Sequence, residues 1–146
     1  MTATTIAHLL GGRSVLKRNV RTDSELIAAV RDGLPFLALR HLFDEFASTD
    51  LAVQEMYALV GSLRTLQRKQ AARTRLTAAE SDRVARVARV LARAEEAIGD
   101  KARARLWLTE PTAALGGRRP VELLDSDLGT GQVERVLGRI EYGVYE

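Results

Sequence analysis

The segment that holds the only tryptophan constrains the fold most, because its helix-breaking residues fix where helices must stop and restart. Residues 103–120 contain Trp107, two of the three prolines and a Gly-Gly pair. The pattern predicts a short helix with Leu106 and Trp107 facing inward, which ends before Pro111 because proline interrupts a helix. The glycine pair allows a sharp reversal, and Pro120 suits the first turn of another helix. We therefore expect a tight corner that sets how the flanking helices meet.

Apolar residues recur at spacings of three and four through most of the chain, and no segment alternates convincingly with a period of two. This pattern predicts an all-α fold. Two pairs, Thr22 with Glu25 and Thr77 with Glu80, have the spacing of a capping box, which marks the first turn of a helix. The second pair opens the longest predicted helix.

The middle of the chain predicts a helix-turn-helix. A cluster of N-cap candidates, residues 48–50, precedes an apolar helical pattern that ends at Val60 and Gly61. Ser62 immediately caps a second short helix, which runs to about Ala72. Two helices separated by little more than Gly-Ser must turn sharply against each other, as they do in a helix-turn-helix, whose second helix enters the major groove.

This second helix lies in the most basic stretch of the chain. Residues 61–75 carry four arginines and one lysine and no acid, and arginine and glutamine can pair bidentately with guanine and adenine. We favour DNA contact over the alternative, a solvated basic face. A second stripe of Arg83, Arg86, Arg89 and Arg93 fits a solvated face better. The candidate DNA-contacting residues are Ser62, Arg64, Thr65, Gln67, Arg68, Lys69 and Arg73.

Catalysis has little support in the sequence. His8 and His41 lie far apart, and neither has a partner at metal-ligand spacing. Glu95 and Glu96 are adjacent and therefore point in different directions on a helix. No glycine-rich phosphate-binding motif is present. We therefore expect no enzyme activity, no metal and no cofactor.

No membrane association is expected either. The first ten residues lack the basic start and long apolar run of a signal peptide. No apolar stretch approaches the ~20 residues that are needed to span a bilayer. The chain also has no cysteine, which fits a reducing cytoplasm best.

The C-terminal end is the second candidate for binding. It follows a predicted final helix, from about Leu128 to Tyr142, and adds Val144 and Tyr145 beyond it. Aromatic side chains left exposed at a chain end often enter a partner's pocket. The alternative is that they fold back over the final helix.

Several segments of the chain resemble the MbcA/ParS/Xre antitoxin family. The C-terminal segments that carry the resemblance are residues 76–86, 97–108, 114–120 and 137–145. Residues 33–35 and 65–68 look like the Xre-like half of that family. The resemblance implies two units. Residues 1–75 would form an N-terminal arm and an Xre-like helix-turn-helix DNA-binding domain, and residues 76–146 a helical C-terminal toxin-binding domain.

The resemblance also implies a function, that of the antitoxin in a type II toxin–antitoxin pair. The usual toxin of this family has a RES domain and consumes NAD or transfers its ADP-ribose. The antitoxin's C-terminal end blocks the toxin's NAD pocket, and the complex represses its own operon by binding operator DNA. A homodimer within a toxin–antitoxin hetero-oligomer is expected. Carried over to this chain, the toxin-binding residues are Arg139, Ile140, Tyr142, Gly143, Val144, Tyr145 and Glu146.

One alternative of a different class stays open at this point. The chain could be a stand-alone helix-turn-helix transcriptional regulator whose C-terminal half only dimerises. A reading frame for a RES-type toxin next to the gene supports the antitoxin, and its absence favours the regulator.

Overall fold

The computed structural model describes residues 2–143, and within that range the chain is helical with no strand. This confirms the all-α prediction. Two short 3-10 segments, Ala113–Leu115 and Pro120–Asp125, lie between the last two α-helices. The α-helices of the described part are α1 (Ala3–Leu9), α2 (Gly12–Leu16), α3 (Asp23–Asp32), α4 (Phe36–Asp44), α5 (Val53–Val60), α6 (Leu63–Ala72), α7 (Ala78–Ile98), α8 (Lys101–Thr109) and α9 (Asp127–Glu141).

Helix α7 is the centre of the fold. It has 21 residues and opens with the predicted capping box, in which the Thr77 hydroxyl accepts from the amide of Glu80 and the Glu80 carboxylate accepts from the amide of Thr77. Its apolar face includes Val84, Val87 and Leu91, which are fully buried. Helices α1, α3, α4 and α5 pack on α7, and so do α8 and α9. The core is therefore continuous across residues 75 and 76. The division of the chain into two domains at this point stays a prediction.

The first 21 residues contribute more than a packed arm. They form α1 and α2, and Ile6, Leu9 and Leu10 are buried in the common core. The ring of His41 contacts the carbonyl of Leu9, with Nδ1 at 3.1 Å from the oxygen. The sequence of residues 1–21 shows no firm helical period, because α1 and α2 are short and a period needs several turns to show.

The helix-turn-helix begins later than its sequence pattern indicated. Helix α5 begins at Val53, and Ala52 precedes it without a capping side chain. The hydroxyl of Thr49, one of the predicted N-caps, instead donates to the carbonyl of Phe46 at 2.7 Å in a preceding turn. The N-cap prediction for residues 48–50 is therefore wrong, because the threonine stabilises the chain reversal after α4.

The corner around the tryptophan turns sharply, as predicted. Helix α8 ends at Thr109, before the proline, and the amide of Thr112 donates to the carbonyl of Arg118 at 3.1 Å to close the reversal. The inward orientation predicted for Leu106 is wrong, since this side chain is 39% exposed. Helix α8 buries Ala104 and Leu108, which lie on one face. Leu106 is two residues from each of them and therefore lies on the opposite face. Trp107 is only half-buried.

A buried arginine joins α8 to both α4 and α7. Arg105 is 7% exposed, and its guanidinium donates to the Glu95 carboxylate and to the Lys101 carbonyl at 2.8 and 2.7 Å. It also pairs with the carboxylate of Glu45 and donates to that residue's carbonyl at 2.8 Å. Burial alone would lower the pKa of Arg105, but its bonds to Glu45 and Glu95 outweigh burial and raise that pKa. This cluster, which we call the Arg105 cluster, ties the end of α4 to the helices that follow.

Candidate nucleic-acid interface and partner-binding end

Helix α6 presents a polar face to solvent because a single apolar side chain holds it to the core. Leu66 is its one buried residue and is fully buried. Arg64, Gln67 and Arg68 project from the opposite side of the helix and are exposed. At the first turn, the hydroxyl of Ser62 accepts from the amide of Thr65 at 3.2 Å, as the sequence predicted. The exposed face thus combines two guanidinium groups with one amide.

The structure separates the five basic side chains of residues 61–75 into two groups. Arg64, Arg68 and Arg73 are exposed, and Arg73 ends α6 in a left-handed conformation at φ 56°. Lys69 instead forms an ion pair with Glu80, with Nζ 2.5 Å from Oε1, and its side chain is only 14% exposed. Arg75 is also exposed, but its guanidinium donates to the carbonyl of Gly33 at 2.8 Å. Lys69 therefore leaves the candidate DNA contacts, because helical spacing places it on the same side as Leu66.

The carboxylate of Glu80 serves two helices at once. It accepts from the amide of Thr77 at 2.8 Å, which caps α7, and from the ammonium of Lys69 on α6. Burial opposes the ionisation of Glu80, but the bonds from Lys69 and Thr77 outweigh burial and lower its pKa. The sequence indicated the capping bond but not the ion pair, whose partners are 11 residues apart.

Helix α9 is held along its length by three ion pairs to α7. They join Arg86 to Asp127 at 2.7 Å, Arg89 to Glu134 at 3.3 Å and Arg93 to Glu141 at 2.8 Å. We call these pairs the α7–α9 ladder. The interpretation of this arginine stripe as a solvated face is wrong, because α9 packs beside it and supplies the carboxylates. The fourth member, Arg83, donates to the carbonyl of Val60 at 3.0 Å.

The C-terminal end of α9 passes from buried to exposed within two turns. Leu137 is fully buried, Ile140 is half-buried, and Tyr142 is 79% exposed. Arg139 is partly buried on the same turn. Gly143 follows the end of the helix with a φ of +72°, a backbone conformation that favours glycine. The remaining predicted toxin-binding residues lie outside the described residues; they are Val144, Tyr145 and Glu146.

A groove beside this end was missed by sequence reasoning. It has a volume of about 540 Å³ and is lined mainly by apolar side chains of α7, α8 and α9, among them Ile98, Leu106, Trp107 and Ile140. The signal in the sequence was the lone tryptophan next to a leucine on a short helix. The sequence predicted that both residues face the core. A helix of nine residues is too short for its sequence to show which face is left without a neighbouring helix.

The described residues contain no group of three or more histidine, aspartate or glutamate side chains that could hold a metal ion. None of the helices between residues 2 and 143 is both long and apolar enough to cross a bilayer.

Two family models match consecutive parts of the chain. The Xre-like helix-turn-helix domain of antitoxins matches residues 25–89. The C-terminal toxin-binding domain of Xre/MbcA/ParS antitoxins matches residues 93–143. The first range contains α5 and α6, and the second contains the groove residues and all of α9. The two matches meet inside α7, the helix on which both groups of helices pack.

Curated relatives carry names that agree with these models. A protein named "Antitoxin Xre" from Pseudomonas putida is 31% identical over 122 residues, which are 84% of this chain and 74% of that protein. An "Antitoxin Xre" from Yersinia enterocolitica is 39% identical over 83 residues, 56% of each chain. A "Prs ADP-ribosylating antitoxin" from a Sphingobium species is 29% identical and covers 56% of this chain and 57% of its own. The match therefore spans just over half the length of the last two relatives.

Proposed function

Because the chain belongs to the Xre/MbcA/ParS antitoxin family, we propose that it neutralises a RES-domain toxin and represses their shared operon. The observation that carries the proposal is the exposure of Tyr142. This side chain is 79% exposed at the end of a helix that three ion pairs fix to the body, and Ile140 of the same helix lines an apolar groove. A large aromatic group held in place but left uncovered is typical of a contact that a partner completes.

In this proposal, α9 acts as a rigid support that inserts the C-terminal end into the toxin's NAD pocket. The α7–α9 ladder and the buried Leu137 keep the helix from moving, so little conformational entropy is lost on binding. Tyr142 and Tyr145 provide aromatic contact area. The Glu146 side chain pairs with an arginine that otherwise holds a phosphate of NAD. Arg139, Ile140, Gly143 and Val144 complete the contact. One relative's name refers to ADP-ribosylation, which is in line with a toxin that takes ADP-ribose from NAD.

The DNA-binding part of the proposal rests on the exposed face of α6. Arg64, Gln67 and Arg68 reach base edges in the major groove, while Ser62, Thr65 and Arg73 approach the phosphates. A homodimer within the toxin–antitoxin complex places two such helices on an inverted repeat. Both activities place the protein in the cytoplasm, where operator DNA and NAD are found.

Neutralisation is tested by measuring NAD consumption by the partner toxin in the presence of four forms of this protein. Full-length protein should inhibit, whereas a form that lacks residues 143–146 and the variant Tyr142→Ala should inhibit much less. Leu128→Ala is the matched control, because Leu128 is 87% exposed at the opposite end of α9. Equal inhibition by all forms would show that the C-terminal end does not act on the toxin. Operator binding without any inhibition would favour the stand-alone regulator.

DNA binding is tested by operator titration at several salt concentrations. Replacement of Arg64 and Arg68 by alanine should weaken binding by about 1–3 kcal/mol for each lost base contact. Arg73→Met should instead reduce the salt dependence, because Arg73 is the proposed phosphate contact and each lost phosphate contact removes one released counterion. The control for the double variant replaces Arg13 and Arg31 by alanine, which removes the same charge from exposed positions on α2 and α3. If the α6 variant binds like the control, α6 is not the recognition helix.

A further inference from the structure

Helix α6 has few attachments for a helix that must hold side chains in a fixed register on DNA. It buries only Leu66. The hydroxyl of Tyr57 donates to the side chain of Gln70 at 3.4 Å, a long bond in a partly exposed position. Among the described residues, the remaining side-chain attachment of α6 to the body is the ion pair between Lys69 and Glu80, whose side chains are 14% and 10% exposed.

We propose that Lys69 and Glu80 position the recognition helix on DNA without touching DNA themselves. Leu66 and Lys69 are three residues apart and face the body together. One attachment lets a helix rotate about its contact point, whereas two attachments one turn apart fix the rotation. The rotation sets where Arg64 and Arg68 meet the base edges. This inference rests on the proposed DNA-binding function.

Glu80 is well placed to define that position because the start of α7 holds it firmly. Its carboxylate is part of the capping box with Thr77, so its rotamer is set by α7. It also lies beneath the turn between α5 and α6, where a Cβ built on Gly61 would be 3.4 Å from Oε2. Three elements therefore meet at one carboxylate: the turn, the recognition helix and the central helix.

The variant Glu80→Gln separates positioning from simple electrostatics. It removes a negative charge near the proposed DNA surface, and a change in charge alone would tighten DNA binding. A glutamine oxygen can still accept the capping bond from Thr77, so α7 should keep its first turn. If Glu80 positions α6 through Lys69, the variant should instead bind operator DNA about tenfold more weakly, a loss equivalent to one weakened base contact.

Asp82→Asn is the matched control, since Asp82 is exposed on α7 two residues away and loses the same charge. It should bind DNA at least as tightly as the wild-type protein. Glu80→Gln binding as tightly as Asp82→Asn would overturn the inference. Absence of operator binding by the wild-type protein would overturn the DNA-binding proposal itself, and this inference with it.

The variant Lys69→Met provides a second readout that reduced stability does not change. Binding is measured at several salt concentrations, at a temperature where melting curves show each variant folded. Lys69→Met should weaken binding and leave the salt slope at the wild-type value, whereas Arg73→Met should reduce the slope by about one phosphate contact. A slope reduced equally by both variants would show that Lys69 contacts phosphate. Should Lys69→Met fail to fold, the double variant Lys69→Met with Glu80→Gln, which removes both charges of the ion pair, is measured in the same way.

Discussion

Replacement of Arg105 by methionine should destabilise the fold substantially, because it breaks the buried Arg105 cluster. Arg105 is 7% exposed, and its guanidinium donates to the carbonyls of Glu45 and Lys101 and pairs with two carboxylates. Methionine fills a similar volume but donates no hydrogen bond. Glu45 and Glu95 would then face each other without a cation, with side chains that are 25% and 13% exposed.

The magnitude follows from how far those carboxylates can reach water. Removal of one partner from a buried pair costs about 3–5 kcal/mol, and partial exposure of Glu45 places the value near the lower limit, about 3 kcal/mol. For a chain of this length, each kcal/mol lowers the midpoint of thermal unfolding by about 2–4 °C, so the expected decrease is about 6–12 °C. Such a loss is a large fraction of the stability of a typical domain.

The assay is thermal unfolding at neutral pH, followed by circular dichroism or calorimetry. The control is Arg103→Met, which removes the same charge from an exposed position on α8 and should change the unfolding free energy by less than about 0.5 kcal/mol. A second form that combines Arg105→Met with Glu45→Gln and Glu95→Gln should recover part of the loss, because no charge is left unpaired. If Arg105→Met melts like the control, the cluster does not join α4 to α8 as described.

Three further predictions concern other contacts of the fold. Leu66→Ala should lower the unfolding free energy by about 2–5 kcal/mol in urea titrations, because this side chain is fully buried and is the one apolar anchor of α6; a smaller loss would mean that α6 does not depend on it. Gly129→Ala should lower the melting temperature because its Cβ would lie 2.1 Å from the carbonyl of Leu123, whereas Gly138→Ala meets open space within α9 and should raise it. Because Glu80 has a lowered pKa in the folded chain, its ionised form stabilises the fold above the unfolded pKa near 4.5, and this contribution is lost as the pH falls through the folded pKa. The difference in stability between wild type and Glu80→Gln should therefore shrink in acid, and a difference independent of pH would contradict the ionised state.

The parts of the fold that local signals encode could be predicted from the sequence. Both capping boxes formed as their spacing indicated, and α6 and α7 begin at the residues that follow Ser62 and Thr77. These features depend on residues within one turn of each other. The N-cap predicted at residues 48–50 is wrong although it also rested on a local signal. The Thr49 hydroxyl can cap a helix or stabilise a turn, and in the structure it bonds to the carbonyl of Phe46 in a turn.

The contacts between distant residues could not be predicted. The sequence predicted a solvated face for the arginines of α7 because it does not show that α9 packs beside them. In the structure, α9 places a carboxylate next to each of three arginines; these carboxylates belong to Asp127, Glu134 and Glu141. Lys69 was a candidate DNA contact because the sequence offered no other partner for it, since Glu80 already had a role in a capping box. The groove was missed because the half-buried state of Trp107 depends on which helices meet there.

The central claim, that the C-terminal end occupies the toxin's NAD pocket, is tested most directly by the NAD dependence of inhibition. NAD consumption by the RES-domain toxin is measured while this protein is titrated, at NAD concentrations from far below to far above the toxin's KM. If the end competes with NAD, the protein concentration that gives half inhibition should rise in proportion to NAD once NAD exceeds KM. A half-inhibiting concentration that stays constant over the whole NAD range would contradict occlusion and would mean that the antitoxin inactivates the toxin from another site.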